Sequence, residues 1–223
     1  PVSLRGALVG SPDVRRWLLP LVVGAIGACL AASCGSDGAD AGPRVRQVPE
    51  QYDTIQDAAD VVQPGDVVVV ASGTWTGFQI DASGTAEAPI TFFGLIGATI
   101  DTPAETGDGI RIENASHVRV WGFTIEGVPE RCIAARGATP EEPMVDVWVL
   151  GNTCTDSGVE GFYLSEIRAS HVESNRIRDT GTSGSTRSHG IYLANAGSDD
   201  TTICGNSIAG AVNDESNGIH FNG

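Results

Sequence analysis

The sequence contains no lysine, so all 13 of its basic residues are arginines, while Asp and Glu together number 28. The formal net charge of −15 repels a phosphate backbone and excludes nucleic acid as a partner. The same charge repels an acidic polysaccharide unless a divalent cation bridges the protein and the polysaccharide. An acidic substrate would therefore imply Ca²⁺. No other cofactor or metal is indicated. The missing lysine further excludes any reaction of these 223 residues that depends on a lysine base.

Cysteine is scarce, and no two of the 5 cysteines have the C-x-x-C spacing of a structural zinc site. Three of them, Cys132, Cys154 and Cys204, lie in the main body of the chain. Export would permit a disulfide, but an odd number leaves one thiol unpaired, and the sequence does not decide which two would pair.

Long apolar runs are absent, and the main one extends only from Trp17 to Leu30, short of the roughly 20 residues of a membrane span. Two arginines precede this run and a polar stretch follows it, which is typical of a bacterial secretory signal. The small residues before Cys34 resemble the lipobox of bacterial lipoproteins and predict lipidation of Cys34. Lipidation of Cys29 and an ordinary cleaved signal are the alternatives.

These features divide the chain into upstream residues with a signal peptide (1–34), a flexible tether (35–47) and a folded body (48–223). They predict an extracytoplasmic bacterial lipoprotein that contacts the membrane only through its lipid. We expect the body to be a monomer, with further repeats beyond residue 223 in the complete protein.

From Ile90 onward the chain has no helical periodicity and consists of short alternating segments separated by Gly, Asn, Asp and Ser. Two motifs recur in it, one of the form His-Val-Arg-Val-Trp-Gly and one of the form Gly-Ile-Tyr-Leu. The second motif recurs every 23 to 29 residues, at Ile110, Ile133, Phe162, Ile191 and Ile219. A repeat of this length predicts an all-β solenoid.

Alternation within each strand predicts which side chains face the core. In Val147-Trp148-Val149 the two valines share one face, so Trp148 faces outward, between the equivalent positions of Arg119 and His171. A cation–ring contact is expected there rather than a ligand site.

Asn152, Asn175 and Asn206 occupy one equivalent position, at the bend after the first motif. Asparagine tolerates left-handed backbone geometry, and its amide can hydrogen-bond to the same amide one repeat away. The pattern predicts a left-handed bend at each asparagine and an internal asparagine ladder.

Three segments resemble the pectate-lyase-like proteins, the superfamily of right-handed parallel β-helices. They are Tyr52 to Ala59, Gln63 to Asp66 together with Gly73 to Trp75, and Ser83 to Thr91; the last is similar to polysaccharide lyases of the chondroitinase B and alginate lyase type. The resemblance implies a single-stranded right-handed parallel β-helix, with a short capping helix over about 55–62 and a first strand over 67–70.

The resemblance also implies that a substrate groove runs along the first sheet, which the Gly-Ile-Tyr-Leu strands form. The outward column on that sheet should then read Arg111, Ala134, Tyr163, Tyr192 and His220. We assign Tyr163, Tyr192 and His220 to substrate binding, because aromatic rings suit the apolar faces of sugars. A purely structural aromatic stack is the alternative.

A second column precedes the same strands and reads Asp108, Arg131, Glu160, His189 and Asn217. Glu160 and His189 lie on adjacent turns and form a candidate acid and base pair. Arg187, in the Gly- and Ser-rich loop before His189, is a third catalytic candidate.

Two functions remain open at this level. The first is a lipid-anchored enzyme that binds and cleaves polysaccharide as a lyase or hydrolase. The second is a non-catalytic surface or structural module that binds along the same face.

Overall fold

The computed structural model of the protein describes residues 42–184, 188–194, 198–211 and 216–222. Within these ranges the chain forms 21 short strands and one short helix. All of the strand pairings are parallel. They build three long sheets and one small sheet of two strands. The prediction of an all-β parallel β-helix is confirmed, while its right-handedness stays a prediction.

The sheets are numbered here by the order of strands within one turn. The first sheet contains β4 (Phe78–Ile80), β7 (Ile110–Glu113), β10 (Ile133–Arg136), β14 (Phe162–Ser165), β18 (Ile191–Ala194) and β21 (Ile219–Asn222). The second sheet contains β1 (Val45–Val48), β2 (Val67–Val70), β5 (Ile90–Gly94), β8 (Val118–Trp121), β12 (Val147–Leu150), β16 (His171–Glu173) and β19 (Thr202–Cys204). The third sheet contains β3 (Gly73–Thr76), β6 (Ala98–Thr102), β9 (Thr124–Glu126), β13 (Thr153–Thr155), β17 (Arg176–Thr180) and β20 (Ser207–Ala211). Strands β11 (Met144–Val145) and β15 (Ile167–Arg168) form the small sheet.

The core is built by stacking like residues on like. Val118 and Val120 of β8 lie in register with Val147 and Val149 of β12, and all four are buried. Val172 of β16 continues the second of these columns. Each turn of the coil thus covers the apolar side chains of the turn before it, as the alternation predicts.

The asparagine ladder is present. The main-chain N–H of Asn152 donates to Asn175 Oδ1 (2.8 Å), and that of Asn175 donates to Asn206 Oδ1 (2.9 Å). The side-chain amides donate to the same oxygens and to carbonyl groups of the preceding turn. These bonds satisfy buried polar groups inside the bend, so the ladder stabilises it.

The left-handed bend lies one residue earlier than predicted. Positive φ occurs at Gly151 (58°), Ser174 (57°) and Gly205 (65°), and not at the asparagines that follow. The residue before each asparagine turns the chain from the second sheet into the third, and the asparagine amide then joins the ladder. Two of the three positions are glycine because a residue without Cβ adopts this geometry at little cost.

The capping helix α1 spans Ile55–Ala59, which is shorter than the predicted 55–62. Thr54 and Asp57 form a capping box at its start. Ile55 and the alanines of α1 are buried against the first turn of the coil, so the helix covers the end of the core. The helix ends at Ala59, with Asp60 as its C-cap.

The ordered body begins before residue 48. Strand β1 pairs in register with β2, so Val45 and the two residues after it belong to the second sheet rather than to the tether assigned to 35–47. Arg46 is held there by a buried ion pair between its Nε and Asp66 Oδ2 (2.7 Å). This pair fixes β1 to the turn that precedes β2.

The structure decides the disulfide that the sequence leaves open. Cys132 and Cys154 are bonded, with Cα atoms 5.8 Å apart, and both are fully buried. Cys204 is a free, exposed thiol. The bond links the segment before β10 to β13 on the next turn of the coil.

The predicted signal segment, with Cys34 and its alternative Cys29, lies outside the described residues. Lipidation therefore stays a prediction. In the described part of the chain, no helix has the length and apolar character needed to span a membrane.

Candidate functional site

An outward column of side chains follows the first sheet in register, as predicted. The successive members are Gln79, Arg111, Ala134, Tyr163, Tyr192 and His220. In β14 and β18 the residues on either side of each tyrosine are buried, while the tyrosines are only half-buried. Adjacent members of the column are separated by the strand spacing of about 4.8 Å.

Three members of this column carry rings, and the ring of His189 lies beside them. We call Tyr163, His189, Tyr192 and His220 the ring end of the face. Tyr192 meets Tyr163 and His220 edge to face, with centroid distances of 5.6 and 5.1 Å. His189 stacks on His220 at 4.5 Å and meets Tyr192 at 5.2 Å. The rings form one continuous cluster rather than a flat platform.

Arginine side chains cover the ring of Tyr163. The guanidinium carbons of Arg131 and Arg136 lie 5.1 and 4.7 Å from its centroid. Such cation–ring contacts each contribute about 0.5–1 kcal/mol at exposed sites. Tyr163 is therefore held in place, whereas the hydroxyl of Tyr192 accepts a hydrogen bond from Asn222 Nδ2 (3.1 Å).

The preceding turns carry a network of opposite charges, which we call the charged end. It comprises Asp108, Arg111, Glu113, Glu130, Arg131 and Glu160. Arg131 bonds Glu160 through Nε (2.8 Å) and Glu130 through a terminal nitrogen (3.0 Å). Arg111 bonds Asp108 (3.2 Å) and Glu113 (2.6 Å). The arginines at this end are thus neutralised by carboxylates of the chain itself.

Glu160 is a buried carboxyl group at the face. Its side chain is only 8% exposed, and burial raises its pKa above the ordinary value of 4.5. The charge of Arg131 opposes this rise in pKa without cancelling it. Glu160 is therefore a buried partner that holds Arg131 beside Tyr163.

Glu160 and His189 lie on adjacent turns, where the Gly161 N–H donates to the carbonyl oxygen of His189 (2.9 Å). Their side chains have different partners: Glu160 bonds Arg131, and His189 Nδ1 accepts from the Asn217 N–H (3.0 Å). Their action as an acid and base pair stays a prediction. The same holds for Arg187, which lies outside the described residues.

Arg136 is the site residue that sequence reasoning missed. It follows the outward Ala134 by two positions, so the alternation of β10 already places it on the same face. Its Nε has no hydrogen-bond partner in the described part of the chain, and its visible contact is with Tyr163. Alternation predicts the face on which Arg136 lies. It does not predict that the long arginine side chain reaches the ring of Tyr163 on the next turn.

On the second sheet Trp148 lies between Arg119 and His171, as predicted. Arg119 approaches the indole at 5.3 Å and His171 stacks on it at 4.0 Å. Since both of its neighbours contact the ring, Trp148 forms a structural stack.

The remaining histidines are paired with acids. His117 Nδ1 lies 3.0 Å from Asp146, and His171 Nδ1 lies 2.9 Å from Glu173. Because a carboxylate only accepts hydrogen bonds, each Nδ1 carries a proton. Across the ranges that the structure describes, no three His, Cys, Asp or Glu side chains are grouped to hold a metal ion.

The fold and the repeated outward columns define a parallel β-helix protein with a mixed aromatic and charged face. A family model described as periplasmic copper-binding protein (NosD) matches residues 104–223, more than half of the sequence. The chain belongs to this family. No curated protein matches the chain in sequence.

Two solved structures share the fold. One is the crystal structure of an alginate lyase from Paenibacillus sp. strain FPU-7, with a TM-score of 0.61 and 22% identity, covering 73% of this chain and 57% of that one. The other is pectate lyase Pel9A, with a TM-score of 0.60 and 12% identity, covering 74% of this chain and 47% of that one. The chain spans about half the length of each, and at these identities the likeness shows the fold alone.

Proposed function

We propose that this protein acts outside the cytoplasm and binds polysaccharide along the outer face of its first sheet. The observation that carries the proposal is the in-register succession of Tyr163, Tyr192 and His220 along the axis of the coil. A column of rings with polar edges suits a linear chain of sugars, which presents apolar ring faces and hydroxyl groups in turn.

The location has two supports. The family carries the description periplasmic, and the buried Cys132–Cys154 bond is typical of an oxidising compartment. Anchoring through a lipid on Cys34 is part of the proposal. Incorporation of labelled fatty acid that is lost on Cys34→Ala, and kept on Cys29→Ala, would support it.

Cleavage of the bound polysaccharide is the finer proposal, with a lyase or hydrolase reaction at Glu160, His189 and Arg187. It is supported by the raised pKa of Glu160, since catalytic acids often have such shifts, and by the fold-level likeness to two enzymes named as lyases. A non-catalytic binding module uses the same face and differs only in the absence of turnover.

Copper, which the family description names, does not fit the described residues. Two histidines lie together at the ring end, but in the described ranges no third His, Cys, Asp or Glu side chain lies with them. These ranges contain no other group of three such side chains that could hold a metal ion. Copper sites in proteins are built from several nitrogen and sulfur ligands. We therefore assign no step to a metal.

The binding proposal is tested by affinity electrophoresis in gels that contain alginate, polygalacturonate or neutral dextran, each with and without Ca²⁺. The wild type is compared with Tyr163→Ala plus Tyr192→Ala. Phe93→Ala plus Trp121→Ala is the matched control, because it removes a ring pair at 4.6 Å from the second sheet.

We expect at least one polysaccharide to retard the wild type and the control, and to bind the tyrosine double variant about tenfold more weakly, a difference of about 1.4 kcal/mol. Equal retardation of a folded tyrosine variant would move the site elsewhere. Release of unsaturated or reducing sugar ends by the wild type would add cleavage to binding.

A further inference from the structure

The outer face of the second sheet carries a continuous column of apolar side chains. Val69, Phe93, Trp121 and Leu150 lie in register on successive strands, and we call these four residues the apolar column. All four are half-buried, and the rings of Phe93 and Trp121 are in contact, with centroids 4.6 Å apart. Contiguous apolar surface of this kind on a soluble protein is typical of an interaction site.

An exposed turn extends this surface. The Ala98 N–H donates to the carbonyl oxygen of Leu95 (2.8 Å) and Gly97 has φ of 88°, so the chain forms a β-turn directly after β5 with Ile96 at its tip. Ile96 is 99% exposed and Leu95 is 40% exposed. The other exposed large apolar side chains of the described ranges lie towards the two ends of the coil, at Val61, Ile219 and Phe221. Leu95 and Ile96 thus form an apolar protrusion on the side of the coil, at the border of the apolar column.

The formal charges on the outer face of the second sheet cancel. Among the outward side chains of its strands, Arg119 is the one arginine and Glu173 is the one acid. Arg119 lies over the ring of Trp148, and Glu173 bonds His171 (2.9 Å). The whole chain carries a formal charge of −15, so two copies repel each other in most orientations. On this face two copies approach without that repulsion.

The free thiol of Cys204 belongs to the same file of outward residues. Leu150 pairs with Glu173, and Glu173 pairs with Cys204, so the exposed thiol lies two strands beyond the apolar column. If a second copy lies alongside with its coil axis parallel and its turns in register, each of these residues faces its own counterpart. Cys204 is then a natural reporter of this arrangement.

We propose that two copies of the chain associate through the outer face of the second sheet, side by side, with parallel coil axes and with the apolar column of one copy on that of the other. A twofold axis parallel to the coil relates the copies, so that like side chains pack on like. The protrusion at Ile96 packs against the second sheet of the other copy. The proposal is independent of polysaccharide binding, which is assigned to the first sheet, and it replaces the monomer expected from the sequence.

The size of the face determines how strong this association is. Seven strands at a spacing of about 4.8 Å make the face about 29 Å tall, and a width of about 15 Å gives roughly 400 Å² per copy. This is about half of the roughly 800 Å² per partner that a standard stable interface buries. We therefore expect a reversible dimer with a Kd on the order of 10–100 µM.

Sedimentation equilibrium measures the association over protein concentrations from about 5 to 500 µM. We expect the mass of the wild type to rise towards that of a dimer. Ile96→Asp should weaken the association at least about tenfold, because it places a carboxylate in each half of the interface. Since Ile96 is almost fully exposed, this change leaves the fold intact. Val61→Asp is the matched control, because it exchanges another exposed apolar residue for an acid outside the face and should associate as the wild type does.

Cross-linking with a short bismaleimide tests the parallel register. We expect a covalent dimer of the wild type through Cys204, none with Cys204→Ser, and a strong reduction with Ile96→Asp at the same concentration. The control for random collisions is Cys204→Ser plus Ala209→Cys, which moves the exposed thiol to the third sheet and should give no dimer above the level of Ile96→Asp.

Three results would overturn the proposal. A monomer mass at every concentration would leave the face without a second copy. Association that Ile96→Asp does not weaken would place the contact on another surface. Association that depends on Ile96 but gives no cross-link through Cys204 would contradict the parallel arrangement.

Discussion

The two ends of the outward face are built from different chemistry. At the charged end Arg131 is bonded to Glu160 and Glu130, and its guanidinium also approaches Asp108 (3.6 Å). At the ring end, two turns further along, Tyr192 is surrounded by aromatic rings and one amide. A ligand at the charged end would have to displace ion pairs that are already satisfied. At the ring end a ligand can contact ring edges and polar atoms without displacing an ion pair. We therefore place binding at the ring end.

The largest expected effect comes from removing the centre of the charged end. Arg131→Met leaves Glu160 and Asp108 buried with fewer partners, and breaking a buried ion pair costs about 3–5 kcal/mol of unfolding free energy. Arg168→Met is the control, because the Arg168–Asp199 pair is exposed and should contribute less than about 1 kcal/mol. Urea denaturation measures both, and equal losses would show that the charged end contributes no special stability.

The disulfide beside the charged end should contribute about 3 kcal/mol, because it closes a loop with a sequence separation of 22. Replacing both Cys132 and Cys154 with Ala should lower the free energy of unfolding by this amount. Cys204→Ala, which removes the free thiol, is the control and should have little effect. An unchanged midpoint in the double variant would contradict the contribution.

The contribution of Glu160 to stability should depend on pH. The folded state raises the pKa of Glu160 and so holds its proton more tightly than the unfolded chain does. Its contribution to stability is fully present below the unfolded value, near 4.5, and is lost as the pH rises through the raised folded value. The unfolding free energy of the wild type, minus that of Glu160→Gln, should therefore fall between acidic and neutral pH. A difference that rises with pH would reverse the assigned direction.

The smallest expected effect lies where the two ends meet. Arg136→Gln removes one cation–ring contact with Tyr163 and should cost about 0.5–1 kcal/mol. Arg119→Gln on the second sheet removes the equivalent contact with Trp148 and should cost a similar amount. A loss several times larger for Arg136 would mean that it supports more of the charged end than the ring of Tyr163.

The sheet face on which each side chain lies can be predicted from the period-two alternation of the sequence. The register between strands can be predicted from the long repeat. This reasoning places Tyr163, Tyr192 and His220 in one column and Trp148 between Arg119 and His171, and both arrangements are confirmed. The face on which a strand residue lies depends on the backbone alone, so it can be predicted without knowing side-chain rotamers.

Contacts that depend on the reach of a side chain could not be predicted in this way. Arg131 bonds Glu160 on the next turn and Arg136 covers Tyr163, and both contacts depend on how long side chains cross from turn to turn. The choice of Cys132 and Cys154 as the bonded pair depends on a Cα distance of 5.8 Å between neighbouring turns, which spacing along the chain does not reveal.

The measurement that tests the central claim most directly is hydroxyl-radical footprinting of the wild type, with and without the polysaccharide that retards it in the gel. We predict that oxidation of Tyr192 and His220 at the ring end slows when the polysaccharide is present, while Trp121 and Trp148 on the second sheet react at unchanged rates. Protection of the two tryptophans, with Tyr192 and His220 unprotected, would contradict binding along the first sheet.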